Sequence, residues 1–336
     1  MLEDPAEARW PAGSVHGMPA PTAGRRRRLA EELEESGLRL DDAGPPPELL
    51  LDEIELALRP PRHERRVPSS GTIVDPVGDP TRWGPATRLE VSRKALDHQP
   101  LAAARRFADG LSSWLLRRAN GENEWVVFDR PAGSERDLVV LADAFQATIV
   151  QRHPNGAVRI VGSFGVLRWD GFGWHHEPPV GAWIDTVTVC PVHGEPAVLG
   201  ALLEFAVHDL GSAGIGALLV YRPDDSVAPV VEERLPTPPP LDIRRPTHLG
   251  PLRHALSQID GAAVFDGDGL LRLLGVRLVP SATAEESVEP FGGTRHTSGR
   301  RYSSDDPLAT VIAVSDDGPV TVFRDGAVLG RSAPSD

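Results

Sequence analysis

Hydrophobic and polar positions along the chain switch repeatedly between helical and strand-like spacing. In Glu48–Leu58, Leu50, Leu51, Ile54 and Leu58 fall on one face, which predicts an amphipathic helix able to dock on the protein's body or on a partner. Leu101–Arg118 keeps the 3.6-residue period through Leu101, Ala104, Phe107, Leu111, Trp114 and Leu115, predicting a second helix. Trp125–Phe128, Leu138–Leu141 and Ala147–Val150 are short apolar runs that predict strands, and Ala157–Ile160 with Gly165–Trp169 predicts a hairpin. Further on, Ala197–Leu210 predicts an apolar helix broken at Gly211–Gly214. Ile215–Tyr221 (IGALLVY) is then continuous enough for a strand buried on both faces. A polar, Pro-rich excursion, Arg222–Pro246, leads to a short helix, Leu249–Gln258. Ile259–Phe265 predicts a strand with Asp260 at its start, and Leu270–Leu278, Ala309–Val314 and Val320–Phe323 predict three more. Asp266–Gly269 joins two of these runs as a hairpin turn.

This alternation predicts an α/β protein. A C-terminal mixed-sheet domain at 191–331 follows a smaller α/β or α+β domain at 87–190, expected to be the sensor or regulatory unit. Residues 1–86 are expected to be disordered or linker with short helices, including a polar helix from Arg25 to Leu40. The 33 glycines and 33 prolines, near a fifth of 336 residues, fit many loops or an unstructured segment. A formal net charge of −13 argues against a general polyanion binder, so no DNA partner is expected and phosphate chemistry would need a local site. One cysteine, Cys190, excludes an intrachain disulfide and a cysteine-based zinc site. No apolar run is long enough for a membrane span and none near the start resembles a signal core, so a cytoplasmic protein is expected.

Two segments carry candidate chemistry. In Gly292–Arg301 the paired glycines, Gly292 and Gly293, let the backbone approach a ligand, and a helix starting near Arg295 would offer free N–H groups to phosphate. Thr294 and Ser298 add hydroxyl donors, Arg295 can grip phosphate with two N–H groups, and His296 can donate to a phosphoryl oxygen. An ordinary Gly-rich turn remains the alternative for this segment. Asp260, beside Gly261 and Ala262, suits a hard divalent cation such as Mg²⁺ or Mn²⁺, with room for a ribose near the main chain; a plain Asp-Gly turn is the alternative. A third cluster, Trp169, Trp174, His175 and His176, is either a ligand pocket or tryptophans closing a β-layer with histidines on its wet edge.

The order IGALLVY (Ile215–Tyr221), Asp260-Gly261-Ala262, Gly293-Thr294-Arg295-His296 and then Val314-Ser315-Asp316-Asp317-Gly318 resembles the diadenylate cyclase (DisA-like nucleotide-binding) domain family over about Ala197–Gly330. The resemblance implies an ATP-binding α/β domain. It also implies a homodimer or higher homo-oligomer with face-to-face sites, in which two ATP condense to cyclic di-AMP with release of pyrophosphate. Carried over, Asp260 would be the metal ligand that positions the attacking 3′-hydroxyl, and Gly261 and Ala262 would line the nucleotide. Thr294, Arg295 and His296 would hold the phosphates, with Ser315 as a further phosphate contact. The chain departs from the family pattern at Thr297, where a second arginine is usual and where Arg300 or Arg301 could substitute, and at Ile259, where histidine is common.

Two other functions compete with a cyclase under N-terminal regulation. One is a catalytically inactive nucleotide-binding sensor module of the same fold. The other is a scaffold working through the Glu48–Leu58 helix.

Overall fold

The computed structural model describes residues 23–62, 67–97, 99–188, 195–223, 231–232, 235–316 and 318–332. Cys190, Asp317, most of the Met1–Gly24 segment and much of the Arg222–Pro246 excursion therefore lie outside the described residues.

Two mixed sheets organise the chain. The first comprises β1 (Ser70–Val74), β2 (Val91–Ala95), β3 (Ser113–Arg117), β4 (Glu124–Phe128), β5 (Thr148–Arg152), β6 (Val158–Gly162), β7 (Gly165–Trp169) and β8 (Trp174–Glu177). Their order is β2-β4-β3-β1-β5-β6-β7-β8, antiparallel throughout except for the parallel pair β1/β3. Helices α1 (Ala23–Glu35) and α2 (Pro47–Leu58) cover one face, whereas α3 (Pro80–Thr87) and α5 (Glu135–Phe145) cover the other; α4 (Leu101–Ala104) is a single turn.

The expectation of a linker over 1–86 is corrected from residue 23 onward. β1 lies in the middle of the sheet, and Leu50 and Ile54 of α2 are fully buried with Val150, Ile160 and Leu167. Glu53 of α2, 1 % exposed, is paired with Arg105 and Arg117 and accepts a hydrogen bond from Thr72 of β1. A buried carboxylate needs such partners, so α2 is keyed to this sheet, and its apolar face is spent inside the molecule. The scaffold reading thereby loses its docking surface.

Leu101–Arg118 is not one helix. The Asp109 carboxylate accepts from the N–H groups of Leu111, Ser112 and Ser113, and Gly110 has a φ of +72°; this turn converts the second half of the segment into β3. Leu138–Leu141 lies within α5 rather than in a strand. A reciprocal cap between Ser134 and Asp137 starts that helix, a signal outside the short apolar run.

The second sheet contains β9 (Ala217–Tyr221), β10 (Val231–Glu232), β11 (Ala262–Phe265), β12 (Leu271–Leu278), β13 (Thr310–Val314), β14 (Val320–Arg324) and β15 (Ala327–Arg331). The order is β10-β12-β11-β9-β13-β14-β15, with β9/β11 the parallel pair. Alternate residues of β9 enter separate cores. Ala217, Leu219 and Tyr221 pack with α6 (Val180–Thr188), α7 (Pro196–Phe205) and α8 (Pro246–Leu256). Leu218 and Val220 share the other face with Tyr302 of α10 (Thr294–Asp305), whose C-terminal Asp305 accepts from Ser281 at the start of the short α9 (Ala282–Ser287). The IGALLVY run is thus a central strand covered on both faces. The helix expected over Ala197–Leu210 is α-helical to Phe205 and closes in a π-helical turn, Ala206–Leu210.

Candidate functional site

The strand directions decide what meets what. Gly216 precedes β9 and Asp260-Gly261 precede β11, at the same end because the two strands are parallel. Ser315 follows β13, which runs antiparallel to β9, so it reaches that end as well. A cavity of about 380 Å³ opens there, lined by Gly214, Ile215, Gly216, Leu256, Ser257, Gln258, Ile259 and Asp260. Asp260 is exposed on its rim. It lies in the loop two residues ahead of β11 rather than at the strand's first position.

Gly261 shows why this loop needs glycine. Its φ is +113°, and a Cβ built on it would lie 2.6 Å from the Gly275 carbonyl carbon of β12. A side chain would therefore have to push one backbone off another. Ala262, buried at 1 % exposure, begins the strand behind it.

Helix α10 brings the second segment to the same end. Its N-cap is Gly293, with no side-chain cap, and Gly292 before it turns with a φ of +60°. The first-turn amides are thus left to backbone, solvent or an anion. Arg295 extends from this turn across the sheet end. Its Nη1 donates weakly to the Val314 carbonyl at 3.5 Å, and its guanidinium lies against Gly216, where a Cβ would sit 2.3 Å from Nη1 and 2.9 Å from Cζ. Gly216 is therefore the contact between the two: it lines the cavity, and Arg295, which is not itself among the lining residues, lies against it. The sequence-chosen residues Asp260, Gly261, Arg295 and Ser315 converge on this end, while Thr294, exposed, and Ser298, half-buried, occupy the first turns of α10.

His296 behaves differently. It is 8 % exposed and lies between Phe291 and Phe323, with ring centroids 6.2 and 6.1 Å away, so it anchors α10 on the sheet. Thr297 has a local task. Its hydroxyl accepts from the Phe291 N–H at 3.1 Å and donates to the Phe291 carbonyl at 3.3 Å, tying the loop to the helix. Arg300 donates to the carbonyls of Gly326 and Glu289, and Arg301 to those of Val288 and Glu285. Arg300 ties Glu289 to the β14–β15 turn and Arg301 holds the 285–288 stretch, so neither stands in beside Arg295 for the second arginine.

The Trp169/Trp174/His175/His176 cluster is architectural. The tryptophans pair across β7 and β8 at 5.4 Å and pack toward α1 and α2. His175 contacts Asp170 at 3.0 Å in the hairpin turn, and His176 bonds the Phe164 carbonyl. Gly216 was not singled out by sequence reasoning. Its signal was the Gly-Ser-Ala-Gly-Ile-Gly spacing of 211–216 before an all-buried strand, in which a third glycine has no turn to make.

Among the described residues no group of three His, Cys, Asp or Glu side chains could hold a metal ion by itself. The donor set at the cavity, one carboxylate, fits a Mg²⁺-class ion held mostly by phosphate oxygens and water, and does not fit an all-protein metal cage. No helix among the described residues is long and apolar enough to cross a membrane.

A family model described as "Probable sensor domain DACNK" matches residues 27–177. One described as "DisA bacterial checkpoint controller nucleotide-binding" matches residues 204–328. No curated protein matches the chain. Among solved structures, a hypothetical membrane spanning protein from Bacillus cereus is 18 % identical, over 40 % of this chain and 69 % of that one, with a TM-score of 0.28. A double-cysteine mutant of DacA from Staphylococcus aureus is 20 % identical, over 46 % of this chain and 88 % of that one, with a TM-score of 0.26.

Proposed function

Because the chain belongs, through residues 204–328, to the diadenylate cyclase (DisA nucleotide-binding) domain family, and a probable sensor domain precedes that part, we propose that it condenses two ATP into cyclic di-AMP under control of its N-terminal domain. The observation that carries the reading is the meeting at Gly216: the Arg295 guanidinium lies against this residue, which lines the same cavity as Asp260.

In the proposed reaction each 3′-hydroxyl attacks the α-phosphorus of the other ATP. A new P–O bond forms as the hydroxyl gives up its proton to solvent, the bond from that phosphorus to the oxygen bridging to the β-phosphate breaks, and one pyrophosphate leaves per bond made. Two such transfers close the ring. Geometry and charge neutralisation do most of this work, since phosphoryl transfer leaves little covalent chemistry to the protein. Asp260 orients the 3′-hydroxyl and would hold a Mg²⁺ or Mn²⁺ ion. When bound, that ion supplies charge neutralisation at the phosphates. Arg295 grips phosphate oxygens with Thr294, Ser298 and the free amides of the first turn of α10, and Ser315 closes the cradle from β13. The backbone at Gly261 and Ala262 lines the nucleoside, and His296 holds Arg295's helix in place by packing. A second copy of the domain must face the first, because one site holds one triphosphate and the reaction joins two.

Incubating the purified chain with ATP and Mn²⁺ and detecting cyclic di-AMP by mass spectrometry tests this. Asp260→Asn should abolish product with the fold intact, and product at the parental level from that variant would remove Asp260 from the site. The second reading, a nucleotide-binding module without turnover, draws on Thr297, Arg300 and Arg301, all committed to backbone partners. It predicts calorimetric ATP binding without product.

A further inference from the structure

The two sheets are joined by charge. Arg136, in the first turn of α5, donates from Nε to Asp209 Oδ2 at 2.7 Å and from Nη1 to Glu204 Oε2 at 2.9 Å. Its neighbour Glu135, 1 % exposed, receives Arg168 of β7 through two N–H groups at 2.6 and 2.5 Å and lies 2.9 Å from His208 Nδ1. Burial pushes the Glu135 carboxyl up, but the Arg168 charge and hydrogen bonds outweigh it and hold it at about 2. His208 and Asp209 both belong to the π-helical turn Ala206–Leu210, a widened geometry that is rare and often found at functional sites.

That turn runs straight into the cavity wall. Ser212 Oγ donates to the His208 carbonyl, the Ile215 N–H donates to the Leu210 carbonyl at 3.0 Å, and Gly214 turns with a φ of +65° to deliver Gly216. The same coil packs backbone to backbone on the Ser315–Gly318 turn: a Cβ on Gly211 would lie 2.7 Å from the Gly318 carbonyl oxygen, and one on Gly214 would lie 3.2 Å from that of Asp316. Four residues therefore separate the sensor-side ion pairs from the cavity lining, with no slack in the backbone between them.

We propose that Arg136 and Glu135 are positioning residues of the cavity: by gripping the π-helical turn from the N-terminal domain, they set the place of Gly214–Gly216 and of the Ser315 turn. Regulation by the N-terminal domain then consists of tightening or releasing this grip. The proposal rests on reading the cavity as the nucleotide site, and the experiment separates the two.

In the full chain, Arg136→Ala is the principal variant, because Arg136 is partly exposed and its loss should leave the fold standing. Amide hydrogen exchange over 211–216 and 315–318, without any nucleotide, should accelerate about fivefold in this variant. Arg93→Ala, which removes an ion pair between the edge strand β2 and β4, with no contact to the π-helical turn, should leave those segments unchanged. Arg136→Lys should restore most of the protection, and the KM for ATP should rise in Arg136→Ala and recover in Arg136→Lys. Parental exchange over 211–216 in Arg136→Ala would overturn the proposal. Acceleration equally spread over the whole chain would overturn it too, since that is loss of stability rather than of position. If the parent makes no cyclic di-AMP, the cyclase reading fails, and the exchange pattern still decides whether the grip exists.

Discussion

Gly216→Ala adds one methyl group to the cavity wall. Gly216 does not have a left-handed φ, so alanine fits its backbone, and the loss of unfolded-chain freedom favours the folded state by about 0.4–1 kcal/mol. The new Cβ would, however, lie 2.3 Å from Arg295 Nη1 and 3.1 Å from Nη2, where ordinary contact begins at 3.4 Å. The guanidinium is the far end of a flexible side chain, so it yields and the sheet does not. It must withdraw by about 1 Å, which at a site that works by positioning costs up to ~100-fold in turnover. The expected outcome is a dissociation of stability from function: thermal unfolding by calorimetry at or slightly above the parental temperature, with cyclic di-AMP formation down by about ten- to a hundredfold. An active variant with parental kcat and KM would refute the idea that Arg295 works from its place on Gly216. A variant that unfolds early would show that the guanidinium does not yield and that the wall gives way instead.

Gly261→Ala should do the opposite, because its clash is with the Gly275 backbone and its φ of +113° disfavours any side chain. Stability should fall by at least about 2 kcal/mol in chemical denaturation, with function lost as a consequence. Glu177, 3 % exposed, has its carboxyl pushed up to about 8 by burial, against the pull of Arg168 and a Ser332 hydrogen bond. A folded-state value above the unfolded one means that folding takes up a proton. This group's contribution is present in full below about pH 4.5 and is lost as pH rises toward 8. Glu177→Gln should therefore match the parent near pH 4.5 and gain on it with rising pH, by an order of a few kcal/mol at pH 8; melting curves with no pH-dependent gap would contradict the assignment. Thr297→Val removes both hydrogen bonds to Phe291, so about 1 kcal/mol of stability and a weaker ATP affinity should go with it, measured by denaturation and calorimetry.

Much of the C-terminal sheet was legible because its signals are local. IGALLVY is apolar at every position, as only a doubly covered strand is, and the hairpin at Asp266–Gly269 carries its turn chemistry in four residues. The glycine pair before Arg295 marked the start of α10 to within one residue. Helical period misled at Leu101–Arg118, where one Asp109 carboxylate with three N–H partners outweighs the pattern, and β1 was hidden among glycines and prolines that resemble a linker. No composition statistic separates a linker from a short central strand whose cover, α2, comes from the segment before it.

The residue types, their order and the local turns thus follow from the chain itself: an acidic residue beside glycine, a Gly-rich entry into a helix, and an arginine one step inside. Tertiary structure alone decided that Gly216 would bring Arg295 and the Asp260 cavity together, that His296 would be buried between Phe291 and Phe323, and that Arg300 and Arg301 would be spent on carbonyls. The physical reason is distance along the chain. Strand direction and register bring residues 216, 260, 295 and 315 to one sheet end, and those are fixed by pairings between segments forty or more residues apart, about which any single window of sequence is silent.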